Sequence, residues 1–181
     1  AEAAYRKVLA LVPDHAGAFD ALRRILGGLE RFDDLRDLTL ARVEAVADGN
    51  DRRDLLLSVC EIAEEVLDDR IGAIAARERV LGIEPTHVES YKALERHFEK
   101  LGRFRDLEEL LAREREIVGD ADRLGIDLRR AHLRAEKLGD AEGMVDLCES
   151  ILQAMPTQAD ATLLLERHLQ SSVRLRAAEL L

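Results

Sequence analysis

The chain has 181 residues, 37 Asp and Glu against 27 Lys and Arg, and a formal net charge of −10. That balance argues against the basic, phosphate-neutralising face of a nucleic-acid binder and against adhesion to an anionic membrane surface. Two cysteines are too few for a disulfide framework or a four-thiolate zinc site, and no run of about 18 apolar residues offers a membrane span.

Apolar periodicity predicts helices at 2–12, 16–29, 33–47, 51–67, 70–83, 88–101, 105–118, 124–138, 141–154, 158–170 and 173–181. The opening AEAAYRKVLALVP reads as a helix already under way. It lacks the long apolar segment of a secretory signal, so a cytoplasmic setting is the default expectation. Pro13 stops the first helix, and Gly27-Gly28 closes the second. In 33–47, Leu35, Leu38, Val43 and Val46 form one apolar stripe; in 88–101, Val88, Tyr91, Leu94, Phe98 and Leu101 form another. Asp33 and Thr86 are expected at helix starts, Gly102 and Gly139 at helix ends. Period-two alternation is absent, so no strand is predicted. Cys60 and Cys148 fall in separate apolar stripes, as small core residues do.

The pattern repeats. Pro13, Pro85 and Pro156 lie 72 and 71 residues apart in the related segments LALVPDH, LGIEPTH and LQAMPTQ. LERFDDL at 29–35 matches LGRFRDL at 101–107, and LERH occurs at 94–97 and 165–168. Leu29, Leu67, Leu101 and Leu138 each precede a short turn at spacings of 38, 34 and 37. A helix–turn–helix period near 34 points to a solenoid of hairpins.

These residues resemble the tetratricopeptide repeat family across essentially the whole chain. In the repeat ending at Pro156, Leu128, Ala131, Gly139, Met144 and Ile151 occupy the family's characteristic places; in that ending at Pro85, Leu57, Cys60, Asp68, Ala73 and Val80 do so. Phe19 and Tyr91 take the early bulky place, and the usual Trp is missing. The long block also resembles Ala/Leu/Arg-rich arrays of some bacterial proteins. The resemblance implies an all-α, right-handed superhelical solenoid of about eleven helices. It forms one repeat domain over 1–181, with units at 1–12 (partial), 13–84, 85–155 and 156–181 (partial). The first helix of each pair would line a concave groove that holds a peptide or helix of a partner protein.

By the same resemblance Asp20, Arg24, Glu89, Lys92, Arg96, Arg129 and Arg167 face that groove. Arg24, Arg96 and Arg167 are equivalent positions of successive units. Guanidinium groups there can form bidentate bonds to a partner's carboxylates; the competing reading pairs each with a neighbouring Asp or Glu. The chaperone-binding subclass uses an Asn- and Lys-rich clamp, and arginine in its place disfavours that role. No phosphate loop, nucleophile elbow, HExxH or CxxC occurs, so no catalytic centre, metal or cofactor is expected. Val8, Leu9, Leu11 and Val12 at one end and Leu175, Leu180 and Leu181 at the other lack a polar capping repeat. The alternative function is therefore self-assembly into a homo-oligomer through array ends or convex faces, the ends docking on more of the array or on another copy.

Overall fold

A computed structural model describes residues 1–168 and 173–180, Leu175 in backbone only. Every regular element among them is helical. In chain order these are α1 (Glu2–Leu11), α2 (Ala16–Gly28), α3 (Phe32–Ala45), α4 (Gly49–Glu61), α5 (Arg70–Ile83), α6 (Val88–Leu101), α7 (Phe104–Ile117), α8 (Asp120–Leu133), α9 (Ala141–Ala154), α10 (Ala159–Arg167) and α11 (Arg174–Glu179). α4 and α8 each continue into a π-helical turn, Ile62–Val66 and Arg134–Leu138. The fold is all-α, built from consecutive helices that pack on one another through short turns.

The chain divides into two compact units, 1–93 and 94–181, the division falling inside α6. In unit 1, α2 packs on α1 and α3, and α4 on α3 and α5. The core there joins Val43, Leu56, Val59, Cys60, Ala76 and Val80. In unit 2, α8 packs on α7 and α9, and α10 on α9, α11 and α8. Its core runs through Ala131, Met144, Cys148, Ile151, Leu164 and Leu165. Both cysteines are fully buried, and burial pushes each thiol up to about 11.

Local chemistry sets the helix ends. Glu30, Asp68, Gly102 and Gly139 all have positive φ, at 55°, 46°, 64° and 64°. Each follows one of the four leucines spaced 38, 34 and 37 residues apart. At Gly102 and Gly139 the missing Cβ makes that left-handed turn easy. The N-termini correct two expectations. Asp33 sits inside the first turn of α3, whose N-cap is Arg31 without a side-chain bond. Thr86 lies in the turn before α6, and His87 Nδ1 accepts the Ser90 N–H at 3.2 Å. His15 does the same for Ala18 at 3.1 Å, while Asp48, Asp69 and Asp140 cap α4, α5 and α9. α8 starts at Asp120 rather than 124: its first turn carries Asp120 and Asp122, which suit the positive end of the helix dipole but precede the apolar stripe. The expected helix ends at 169–170 and 181 lie outside the described residues.

Candidate functional site

Unit 1 holds an open trough between α2 and α4. On α2, Ala18, Phe19, Leu22 and Leu26 turn inward, which leaves Asp20, Arg23 and Arg24 exposed. On α4, Leu56, Val59 and Cys60 are buried, so Asp51, Asp54, Leu55, Ser58 and Glu61 line the opposite wall. A cleft of about 370 Å³ is bounded by Arg23, Arg24, Leu35, Thr39, Glu61 and Ile62. A second of about 290 Å³ is bounded by Ala16, Asp20, Arg42, Val46, Asp51 and Asp54. Phe19, Leu55 and Ser58 line both, so the two form one trough along the helix axes. The residues advance together on both walls, from Ala16 to Arg24 and from Asp51 to Ile62; α2 and α4 therefore run in the same direction.

α3 forms the floor. Thr39 is buried and its Oγ1 donates to the Leu35 carbonyl at 2.8 Å. The Arg42 guanidinium lies 5.7 Å from the centre of the Phe19 ring, a cation–π distance that fixes the ring from beneath.

The equivalent place in unit 2 is built differently. A cleft of about 260 Å³ is lined by Leu107, Leu111, Arg129, His132, Leu133 and Lys137, among others. In the proline frame these leucines match Leu35 and Thr39, and Arg129 matches Ser58. Arg129 does not stand free: it donates to Glu95 on α6, whose side chain is 15% exposed. Where unit 1 has Ser58 and Arg23, unit 2 therefore has a charged bridge from α8 to α6.

Glu114 of α7 adjoins that bridge. Burial and the Glu95 carboxylate push its carboxyl above the ordinary value, and Arg129 pulls the other way. A raised folded-state pKa means the protonated form is favoured by folding; that contribution is present at low pH and is lost as pH rises through the raised value. Glu114→Gln is accordingly expected to raise the melting temperature of unit 2 at pH 7 by about 2 °C. The gain should fade towards pH 4, as melts followed by circular dichroism at both pH values can check.

The three equivalent arginines have their exposure in common. Arg24, Arg96 and Arg167 are exposed, and among the described residues none makes an ion pair; Arg24 Nε only donates to the Asp20 carbonyl at 3.3 Å. Many other arginines are paired, including Arg31, Arg36, Arg53, Arg77, Arg115 and Arg176. Glu89 and Lys92, both exposed, pair with each other at 3.3 Å. Asp20 and Arg24 thus share the trough of unit 1, Arg129 is engaged by Glu95, and Arg96 and Arg167 stand on the exposed faces of α6 and α10.

Arg23, Arg42, Leu55 and Ser58 escaped the sequence reading. Ser58 had a signal, since it is equivalent to Arg129; Leu55 and Arg42 had none, because only packing tells which face of α4 meets α2. Among the described residues no three His, Cys, Asp or Glu side chains converge as metal ligands, and no helix is long and apolar enough to cross a membrane.

No family model matches the chain, and no curated protein matches it. Nine chains of solved structures do. One is YrrB, described as a TPR protein with an unusual peptide-binding site: it is 16% identical, the match covers 88% of this chain and 79% of that one, and the TM-score is 0.44.

Proposed function

We propose that the chain is a tetratricopeptide-type scaffold, organised in blocks of 71–72 residues, that binds a peptide or helix of a partner protein along the exposed faces of its first-type helices. The supporting observation is the arginine series. Three equivalent guanidinium groups are exposed and, among the described residues, pair with no carboxylate, in a chain whose arginines commonly pair with a neighbour. A planar fork of donors left open is suited to bidentate capture of carboxylates. Asp20 and the Glu89–Lys92 pair add mixed charge to exposed helix faces, Arg129 being taken by Glu95, and favour a partner of mixed charge over a purely acidic one.

Hairpin stacks suit this task because each helix pair buries its apolar face only against its neighbours, which leaves a long ordered surface with no closed core to disturb. The test is capture of partners from the native cell by the wild-type chain and by the triple variant Arg24→Ala, Arg96→Ala, Arg167→Ala, with circular dichroism to establish equal helicity. Loss of three exposed charge contacts is expected to weaken retention roughly ten-fold. Equal retention by the two would overturn the reading.

A further inference from the structure

The trough of unit 1 is electrically polar along its length. At the end formed by the N-terminal halves of α2 and α4 stand three exposed carboxylates, Asp20, Asp51 and Asp54. Arg42 there is drawn under the Phe19 ring and donates to the Pro13 carbonyl at 3.5 Å. At the other end stand Arg23 and Arg24, faced by Glu61. Between the poles the surface is apolar, made by Phe19 and the half-buried Leu55. Internal pairing takes up part of this polarity and leaves its outermost charges open. Arg23 pairs with Asp20 at 3.8 Å and Asp54 is held by its neighbour Arg53 at 2.8 Å, while Arg24 and Asp51 make no ion pair among the described residues.

We infer that this trough selects a peptide segment with one apolar side chain, a carboxylate two residues to one side of it and a basic side chain two residues to the other. The inference rests on the interaction-scaffold reading above and names the ligand chemistry of one of its faces. The spacing follows from geometry. Asp51 lines the same cleft as Ala16, and from Ala16 to Arg24 α2 advances about 12 Å at 1.5 Å per residue, the span of about four residues of extended chain; Asp20, one turn from Arg24, lies between. Residues two apart in an extended segment project to the same side, so an apolar centre and charges at −2 and +2 all face the trough. The apolar group meets Phe19 and Leu55, the carboxylate Arg24 with Arg23 beside it, and the base Asp51. Unit 2 presents no equivalent polarity, because Arg129 and Glu95 close on each other across the corresponding seam.

The test uses fluorescein-labelled nonapeptides and anisotropy with the 181-residue chain. The panel holds a central Leu flanked at −2 and +2 by Glu and Lys, by Lys and Glu, by two Glu and by two Lys, plus a version of the first with Ser for Leu. One of the two mixed orders, which fixes chain direction, is expected to bind at least about five-fold more tightly than either uniform pair, and loss of Leu is expected to abolish binding. In the variant Arg23→Glu, Arg24→Glu the preference should move to the Lys/Lys peptide. Arg23→Glu with Ser58→Arg, which rebuilds the bridge of unit 2, should remove binding of every peptide. If the peptides bind regardless of their flanking charges, the selectivity is wrong while the scaffold reading stands. If no peptide binds at all, including the uniform ones, both fall.

Discussion

Glu108→Ala is expected to destabilise unit 2 by about 2–3 kcal/mol. Glu108 is 13% exposed, as is Arg130. Its Oε1 accepts from Arg130 Nε and Nη2 at 3.0 and 2.8 Å, and from Arg134 Nε and Nη2 at the same two distances. Two guanidinium groups thus converge on one carboxylate at the meeting of α7 and α8. Its removal leaves them facing one another, and partly buried like charge without a counterion is costly. The loss is held below that of a fully buried pair because Arg134 keeps Asp140 at 3.2 Å and Arg130 keeps Asp127 at 3.5 Å. The acid dependence has a definite sign. Burial works to raise the Glu108 carboxyl, but hydrogen bonds from Arg134 and Arg130 outweigh it and hold the group below its ordinary value. A lowered folded-state pKa gives stability that is present above the ordinary carboxylate range and is lost as pH falls through the lowered value. The gap between wild type and Glu108→Ala should therefore be full at pH 7 and close in strong acid. Hydrogen exchange should report it as roughly hundred-fold faster opening of amides in α7–α9, with α3–α5 unchanged. Equal protection in the two proteins would mean the cluster stabilises nothing.

Leu56→Ala should cost unit 1 a similar amount or more, about 3 kcal/mol. Leu56 is 1% exposed and belongs to the cluster of Val43, Val59, Cys60, Ala76 and Val80. Truncation there removes apolar contacts from α3, α4 and α5 at once and leaves a void that close-packed neighbours fill only in part. Urea unfolding with residue-level exchange checks both size and place: α3–α5 should open at lower denaturant, α7–α9 at the original value. The adjacent Leu55 is the control, since it lines the trough and is only half-buried; Leu55→Ala should cost well under half as much. Equal costs for the two would contradict the assignment of inward and outward faces on α4.

Much of this architecture was legible from residue order alone. Prolines at 13, 85 and 156, the four leucines before the turns and the stripes of 33–47 and 88–101 fixed the hairpins, because burial on one helical face leaves a strong periodic mark. Gly102 and Gly139 marked left-handed turns for the same stereochemical reason they were placed at helix ends. Glu30 and Asp68 take that conformation without glycine, so composition could not announce them. The capping role of His15 and His87 becomes visible only with the neighbouring amides in place. The charged bridges were hidden for a different reason. Glu108 has Arg36 as its equivalent in the proline frame, and Arg129 has Ser58; surface charge is exchanged freely as long as a counterion lies within reach, and reach is a property of the folded helices. Buried positions such as Leu22 and Leu94, or Val80 and Ile151, stay apolar in the proline frame while charged ones change. Asp20 and Arg24 were placed by resemblance, Arg24 also because its position recurs at Arg96 and Arg167, whereas Leu55 and Arg42 depended on which face meets which.

Widened turns follow α4 and α8, one in each compact unit. α2 and α6 run to their left-handed ends without one, and proline follows α1, α5 and α9 but neither α3 nor α7. Consecutive hairpins are thus not interchangeable parts: each matches the one after next. A helix pair spliced in alone would present a plain end where its neighbour is shaped for a wide one. Lengthening or shortening by protein engineering should succeed in four-helix steps of 71–72 residues and fail in steps of one hairpin.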